Sequence, residues 1–362
     1  MKKQGKLLKT AKATLSLFLV SVSAMCVLYR LPECFGSQNP AALVAAAFTL
    51  TDGEYRLESE KKSEKSTQPT EEKETQPEDE ENEIASPKIR DKSGYYDSYA
   101  EHEGEAKYEV AEQTYAADGT QVDSCYIKNK TGLELDFESI LSKSLTFDIK
   151  ENTDSPQVLI YHTHTSESYM DEDVDYFYES FYSRTQNSDF NVVGVGDVIT
   201  ETLNKKGIKT LHDKTVHDST YDGSYDRSVQ TVFSDMEEYK DIKVVLDIHR
   251  DAIGTEERKI KPVFEYNGKK GAQIMIMSGC DTNGERNFEN WQNNLSFALK
   301  IQNTAEKMYP NMTRPINFGY FAYNEYVCDG SLLIEVGTEA NSIEEAEYTG
   351  ELLANVLYEV LK

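Results

Sequence analysis

Two histidines and a carboxylate follow directly on an apolar run in Val158-Leu159-Ile160-Tyr161-His162-Thr163-His164-Thr165-Ser166-Glu167. Imidazole nitrogens and carboxylate oxygens are the donors of hydrolytic zinc, which takes about three protein ligands and keeps one position open. Two later runs end in the same kind of residue: Lys243-Val244-Val245-Leu246-Asp247-Ile248 leads into His249, and Ser331-Leu332-Leu333-Ile334 into Glu335. The chain has six histidines in all, so their gathering at the ends of apolar runs exceeds scatter. A carboxylate beyond the ligand set then has general-base and proton-shuttle work to do.

The residues leave several pairings open. On a continued strand His162 and His164 share a face and Thr163 points away. A turn at Ser166 brings His164 and Glu167 together instead. Asp247 shares a strand face with His249 and either orients it or caps a neighbouring backbone. Each histidine has an alternative as a hydrogen-bonded end of a core strand, and Glu335 as a partner of Arg250. Tyr161, Tyr169 and residues 171–182 read as a groove lining or as solvated loop.

Positioning these groups requires a sheet whose strands end on one side. Residues 155–362 alternate strand and helix patterns, which predicts an α/β fold with a largely parallel sheet flanked by helices. Residues 158–161 are apolar throughout, as expected for a strand covered on both faces. Helices are predicted at 195–206 with Gly207 as the stop, at 225–239, at 290–309 ending before Pro310, and at 343–361 behind a Ser342/Glu345 capping box. Strands are predicted at 208–211, 243–248, 262–266, 272–277 and 331–336, the third turning through Asn267-Gly268. In such sheets ligands gather beyond the carboxyl ends of the strands. Residues 121–154 read as a lead-in, a short strand and a short helix.

The N-terminal third is of another kind. Lys2, Lys3, Lys6, Lys9 and Lys12 form a basic tail at 1–12 and precede an apolar stretch at 13–31, which predicts a transmembrane signal anchor with the bulk of the chain extracytoplasmic. Residues 32–120 are expected to be a disordered acidic linker, dominated by Glu, Lys, Ser, Thr, Gln and Pro between 58 and 83. A net charge of −26 over 362 residues excludes nucleic acid as a partner, because phosphate binding needs Lys and Arg. A mean hydropathy of −0.61 agrees with a chain only part of which builds a core. The five cysteines show no CxxC spacing and are expected to be mostly free.

His162-Thr163-His164-Thr165-Ser166-Glu167-Ser168-Tyr169, Asp247-Ile248-His249-Arg250-Asp251 and Leu333-Ile334-Glu335-Val336-Gly337 with Asn341 resemble, in that order, the signatures of the stage II sporulation protein P family. The likeness runs from about residue 126 to the C-terminus. That family is similar in turn to zinc-dependent N-acetylmuramoyl-L-alanine amidases. The resemblance implies an amidase-like fold, Zn2+ as cofactor and peptidoglycan as substrate. It further implies cleavage between muramic acid and the stem peptide, with cross-link endopeptidase activity also attributed to the family. Spore engulfment as the setting and stage II sporulation proteins D and M as partners belong to the same implication. A non-catalytic wall-binding scaffold and a zinc enzyme acting on peptide bonds alone remain alternatives. Carried over by motif, His164 and His249 match amidase metal ligands and Glu335 the catalytic glutamate. The zinc-binding Glu that amidases place before their first long helix has no counterpart in Asn191-Val192-Val193-Gly194-Val195-Gly196-Asp197. Glu167 takes the third ligand position, with His162 and Asp197 as competitors.

Overall fold

The computed structural model of the chain describes residues 90–115 and 118–362. The basic tail, the expected anchor at 13–31 and most of the expected linker lie outside them. Among the described residues no helix is long and apolar enough to cross a membrane.

Element order is β1 (Lys107–Gln113), β2 (Thr120–Val122), β3 (Cys125–Asn129), α1 (Phe137–Ser142), β4 (Val158–Tyr161), β5 (Tyr176–Tyr178), α2 (Val192–Lys205), β6 (Thr210–His212), α3 (Ser224–Glu238), β7 (Val244–Asp251), β8 (Arg258–Tyr266), β9 (Lys269–Ala272), β10 (Ile274–Gly279), α4 (Trp291–Met308), β11 (Ile316–Gly319), β12 (Gly330–Thr338) and α5 (Ile343–Leu361). The main sheet runs β2-β3-β11-β10-β12-β7-β4-β6. Five of its neighbour pairs are parallel; β2–β3 and β10–β12 are antiparallel. The largely parallel α/β architecture is therefore present.

The continuous apolar character of the central strands follows from burial on both faces. Val158 and Ile160 of β4, with Val244, Leu246 and Ile248 of β7, join the large core that also holds α2, α4 and α5. Leu159, Tyr161 and Val245 point the other way, into a smaller cluster with Val232 of α3 and Ile242. Strand alternation thus sorts side chains between a three-helix face and an α3 face. Local signals act as the sequence predicts. Ser342 accepts from the Glu345 amide in a complete capping box, and Asn267 and Gly268 turn the β8–β9 hairpin with φ of 52° and 72°. Cys125, Cys280 and Cys328 are free.

Two expectations need correction. Residues 90–115 and 118–122 are part of the fold rather than of a linker, and the compact unit spans Ala85–Lys362 rather than starting at 155. Strand β1, placed in the disordered linker by its composition, pairs in parallel with β8 and antiparallel with β5, and β9 completes this second sheet. Its polar sequence conceals it, because only Val110 of its seven residues is buried. Upstream, Tyr95 stacks on Phe190 at 4.4 Å and Lys92 Nζ sits 2.7 Å from Asp171. The lead-in segment likewise belongs to the main sheet, since β3 pairs with β11.

Candidate active site

Strands β4, β7 and β12 are neighbours, and their carboxyl ends carry the chemistry. After Tyr161 the chain leaves β4 in a turn closed by the Glu167 amide donating to the His164 carbonyl at 3.0 Å. The turn is pinned from β7: the Thr163 amide and hydroxyl donate to the two Asp247 oxygens at 2.8 and 2.6 Å. It is pinned again from α2, where the Val192 amide donates to the Glu167 carbonyl at 2.9 Å. Helix α2 begins behind Asn191, whose side chain accepts from the Val193 amide, so the position before this long helix holds an amide group rather than a carboxylate.

On the α3 face, His249 stands between two carboxylates. Its Nδ1 lies 3.2 Å from Glu167 Oε2, and its Nε2 lies 2.9 Å from Asp247 Oδ1 at an angle that closes no hydrogen bond. Burial opposes a charge there, but Asp247 and Glu167 outweigh it and raise the proton affinity of the ring well above the ordinary value. For Glu167 burial is likewise outweighed, by the Arg250 guanidinium and His249, and its carboxyl is held low. Arg250 also donates its amide to Glu167 Oε2 at 3.2 Å, and Arg184 Nη2 lies 3.6 Å from Oε1. Arg250 is thus a partner of Glu167; its guanidinium also reaches the Ser168 and Ser183 carbonyls.

Glu335 shares a register position with His249 on the adjacent parallel strand, so both side chains leave the sheet on one face. Its Oε2 is buried with no hydrogen-bond partner. Burial, then the nearby Asp251 charge, lift its carboxyl well above the usual range. The His164 ring stands perpendicular to that of His249 with centroids 5.5 Å apart, and its buried Nδ1 also lacks a partner. Burial lowers its proton affinity and favours the neutral ring.

The structure therefore brings together His164, Glu167, His249, Asp247 and Glu335. It turns the two competitors away. His162 Nε2 meets His212 Nε2 at 2.8 Å and its Nδ1 meets the Ile248 carbonyl at 2.8 Å, on the opposite face of the sheet. Asp197 binds His212 Nδ1 at 2.9 Å and Lys214 Nζ at 2.5 Å. Tyr161 and Tyr169 are core residues, 1% and 0% exposed, and line no groove.

Sequence reading missed three tyrosines. Tyr221 stacks flat on His164 at 4.6 Å and is itself covered by Arg184 at 5.4 Å. Tyr225, at the start of α3, lies edge-on to His164 at 5.7 Å and parallel to His249 at 6.4 Å. Tyr323 meets Tyr225 at 5.3 Å from a strained turn in which Tyr323 and Asn324 both have positive φ, 37° and 61°. The sequence carried no signal for them, because Tyr221 stands in the loop before α3 and its four-residue spacing from Tyr225 is not a helical one.

The donor set of two imidazoles and one carboxylate, with an orphaned buried nitrogen on His164, suits a zinc-type ion. The three donors are not drawn to ligand spacing, however. Among the described residues, Glu112, Asp173 and Glu345 are the group whose oxygens all lie within 4.8 Å of one another. That cluster already encloses a cation, because Lys261 Nζ sits 3.1 Å from both Glu112 and Glu345 and also contacts Asp173.

The family described as Stage II sporulation protein P (SpoIIP) matches residues 34–358, nearly the whole chain. The chain belongs to the stage II sporulation protein P family. The protein of that name from Bacillus subtilis (strain 168) is 28% identical over 228 residues, 57% of this chain and 51% of that protein. The chain thus spans about half the length of the curated SpoIIP relative it matches. Solved structures with slight likeness include an N-acetylmuramoyl-L-alanine amidase from Clostridium difficile 630, at 16% identity, TM-score 0.34, and coverage of 58% of this chain and 96% of that one. Another is the CwlD amidase from Clostridioides difficile in complex with the GerS lipoprotein, at 12% identity, TM-score 0.33, and coverage of 57% and 96%. The amidase AmiC2 of Nostoc punctiforme is 8% identical with TM-score 0.33, covering 56% and 94%. In this SpoIIP chain the first of the three motifs that carry the family resemblance follows directly on β4 and the other two lie in β7 and β12, strands that stand side by side in the sheet.

Proposed function

We propose that this SpoIIP chain is a zinc-dependent peptidoglycan hydrolase of sporulation that cleaves the N-acetylmuramoyl-L-alanine amide bond. The observation that carries the reading is Glu335: a carboxyl with one buried, unpartnered oxygen, in register with His249, whose ring in turn meets that of His164. An unsatisfied buried polar group costs on the order of 1–3 kcal/mol, and a group kept at that cost at the mouth of a sheet is a candidate for proton transfer.

In this reading His164, Glu167 and His249 hold Zn2+, which when bound supplies a Lewis acid beside the scissile carbonyl. The chain's own groups do the rest. Asp247 fixes His249, and Arg250 with Arg184 keeps Glu167 ionised. Glu335, which a bound metal's charge would keep ionised, takes up at Oε2 a proton from the water that attacks the amide carbonyl and delivers it to the departing nitrogen as the C–N bond breaks. Tyr221, Tyr225 and Tyr323 wall the site and narrow its access to water. Residues 13–31 anchor the chain so that the catalytic unit acts extracytoplasmically, alongside stage II sporulation proteins D and M.

Purified protein incubated with peptidoglycan tests this by mass spectrometry of the soluble products. Stem peptides with a free N-terminal alanine, lost on chelation, are expected. Hydrolysis that persists in metal-free protein contradicts the metal assignment, and products cut only within peptides replace the amidase by an endopeptidase.

A further inference from the structure

Glu167 and Arg184 face each other as antiparallel bridge partners, with the Thr185 amide donating to the Ser166 carbonyl at 2.8 Å and the Ser168 amide to the Ser183 carbonyl at 3.1 Å. Opposite charges placed directly across such a bridge attract and tend to close an ion pair. Here the pair stays open. Arg184 Nη2 lies 3.6 Å from Glu167 Oε1, while Arg184 Nη1 donates to Asp218 Oδ2 at 3.0 Å. We propose that Asp218 is a positioning residue that holds the Arg184 guanidinium off Glu167 and so keeps Glu167 Oε1 open to a metal ion. The part played by the metal rests on the hydrolase reading; the division of Arg184 between two carboxylates does not.

The loop between β6 and α3 delivers Asp218 to this place. The His217 amide donates to the Thr165 hydroxyl at 3.1 Å, the His217 ring meets the His162 carbonyl through Nδ1 at 2.8 Å, and Arg227 Nε of α3 donates to the His217 carbonyl at 2.6 Å. Asp218 then stands against Ser166, the residue between His164 and Glu167, and its Oδ2 accepts from the Ser166 amide at 3.1 Å and the Ser166 hydroxyl at 2.5 Å. Its side chain is 1% exposed, so its charge must be met by protein rather than by water. Arg184 is the cation that meets it. Glu167 is less dependent on Arg184, because Arg250 and His249 already serve it.

The two Glu167 oxygens differ accordingly. Oε2 takes the Arg250 amide and faces His249 Nδ1, both at 3.2 Å. Oε1 has guanidinium nitrogens at 3.6 and 3.8 Å, beyond hydrogen-bond distance. A shift of about 0.7 Å would bring Arg184 Nη2 to the usual N–H···O distance of about 2.9 Å, and a guanidinium fork closed on a carboxylate occupies the oxygens a metal would use. The same placement lays Arg184 over Tyr221 at 5.4 Å, whose ring stacks on His164 at 4.6 Å. Asp218 thus acts on both candidate ligands of the turn.

Asp218→Asn keeps an oxygen for Ser166 and removes the charge that holds Arg184. Competition between the protein and a chromophoric chelator for Zn2+ alone is expected to show a dissociation constant raised about 10–100-fold in this variant, and restored toward the unsubstituted value in Asp218→Asn/Arg184→Met. A turn that has merely loosened is not repaired by the second substitution. An unchanged constant in Asp218→Asn, or a double variant that binds no better than the single one, overturns the proposal. Metal-free crystals of Asp218→Asn give an arm that needs no zinc: Arg184 is expected within hydrogen-bond distance of Glu167 Oε1, and an Arg184 still seated on residue 218 overturns the proposal. Absence of zinc binding by the unsubstituted protein contradicts the hydrolase reading instead, and the crystals still decide whether Asp218 holds Arg184 away.

Discussion

Two clusters of acids lie in the same folded unit, and they are built in opposite ways: in the first, Glu112 and Asp173 are exposed and Glu345 is buried. Around Lys261, itself 1% exposed, Glu112, Asp173 and Glu345 converge from β1, the insertion after β4 and α5, with Lys270 3.1 Å from Asp173 as a second cation. Glu345 also accepts from Asn341 and from the Ser342 amide, so its oxygens are fully used. Around His249, Glu167, Asp247 and Glu335 converge from three strand ends, and there Glu335 Oε2 and His164 Nδ1 are left without partners. The first cluster has the closer carboxylates and no capacity left over. The second has wider spacing and unused donor atoms. Unused donor atoms, rather than density of acids, distinguish the candidate site from the Lys261 cluster.

The largest expected effect separates the clusters by activity. Glu335→Gln removes a proton-transfer group and is expected to lower product release by about 10²–10⁴-fold. Its melting temperature should barely move, because the carboxyl makes no hydrogen bond through Oε2. Full activity in that variant would return Glu335 to the class of Glu345. Lys261→Met should do the reverse. Glu345 is left buried without its cation while the exposed Glu112 and Asp173 keep Lys270, so a cost of roughly 1–3 kcal/mol and a fall in melting temperature of several degrees are expected, with metal content per folded molecule the same. Tyr221→Ala is smaller. Tyr221 is 63% exposed and touches the site through its stacking on His164, so a rise in KM of about 3–10-fold at nearly constant stability is expected in steady-state assays.

The smallest effect concerns Asp235 in α3, outside both clusters. Burial, then Asp213 and Glu238, push its carboxyl up to about 6. A carboxyl raised on folding contributes stability below its unfolded value near 4 and loses that contribution as pH rises through about 6. Asp235→Asn should therefore raise the melting temperature at pH 7.5 by on the order of 1–2 °C and leave it unchanged at pH 4. Melts at the two pH values check it.

The sheet was legible wherever burial on both faces wrote an unbroken apolar run, as in β4, β7 and β12. Capping chemistry fixed α5, and Asn267-Gly268 fixed the β8–β9 turn. The second sheet was hidden because β1 exposes most of its residues and its charges find partners distant in sequence, as Glu112 does with Lys261 and Lys270. Composition alone cannot distinguish a solvated linker from a strand that is charged on its open face. At the site, the order of motifs located His164, His249 and Glu335, and strand parity placed Asp247 beside His249. His162 was not separable from His164 in the sequence, because its partner His212 lies fifty residues away. Tyr221 and Tyr225 were invisible for a similar reason: they act from a loop and a first helical turn whose approach to His164 is set by tertiary packing.

Anomalous diffraction at the zinc edge, from crystals of the protein grown with zinc, sets the two clusters against each other in one measurement. The account predicts a single strong peak bonded by His164, Glu167 and His249, with Glu335 beside it and nothing among Glu112, Asp173 and Glu345. A peak at the Lys261 cluster, or none at His164 and His249, contradicts it.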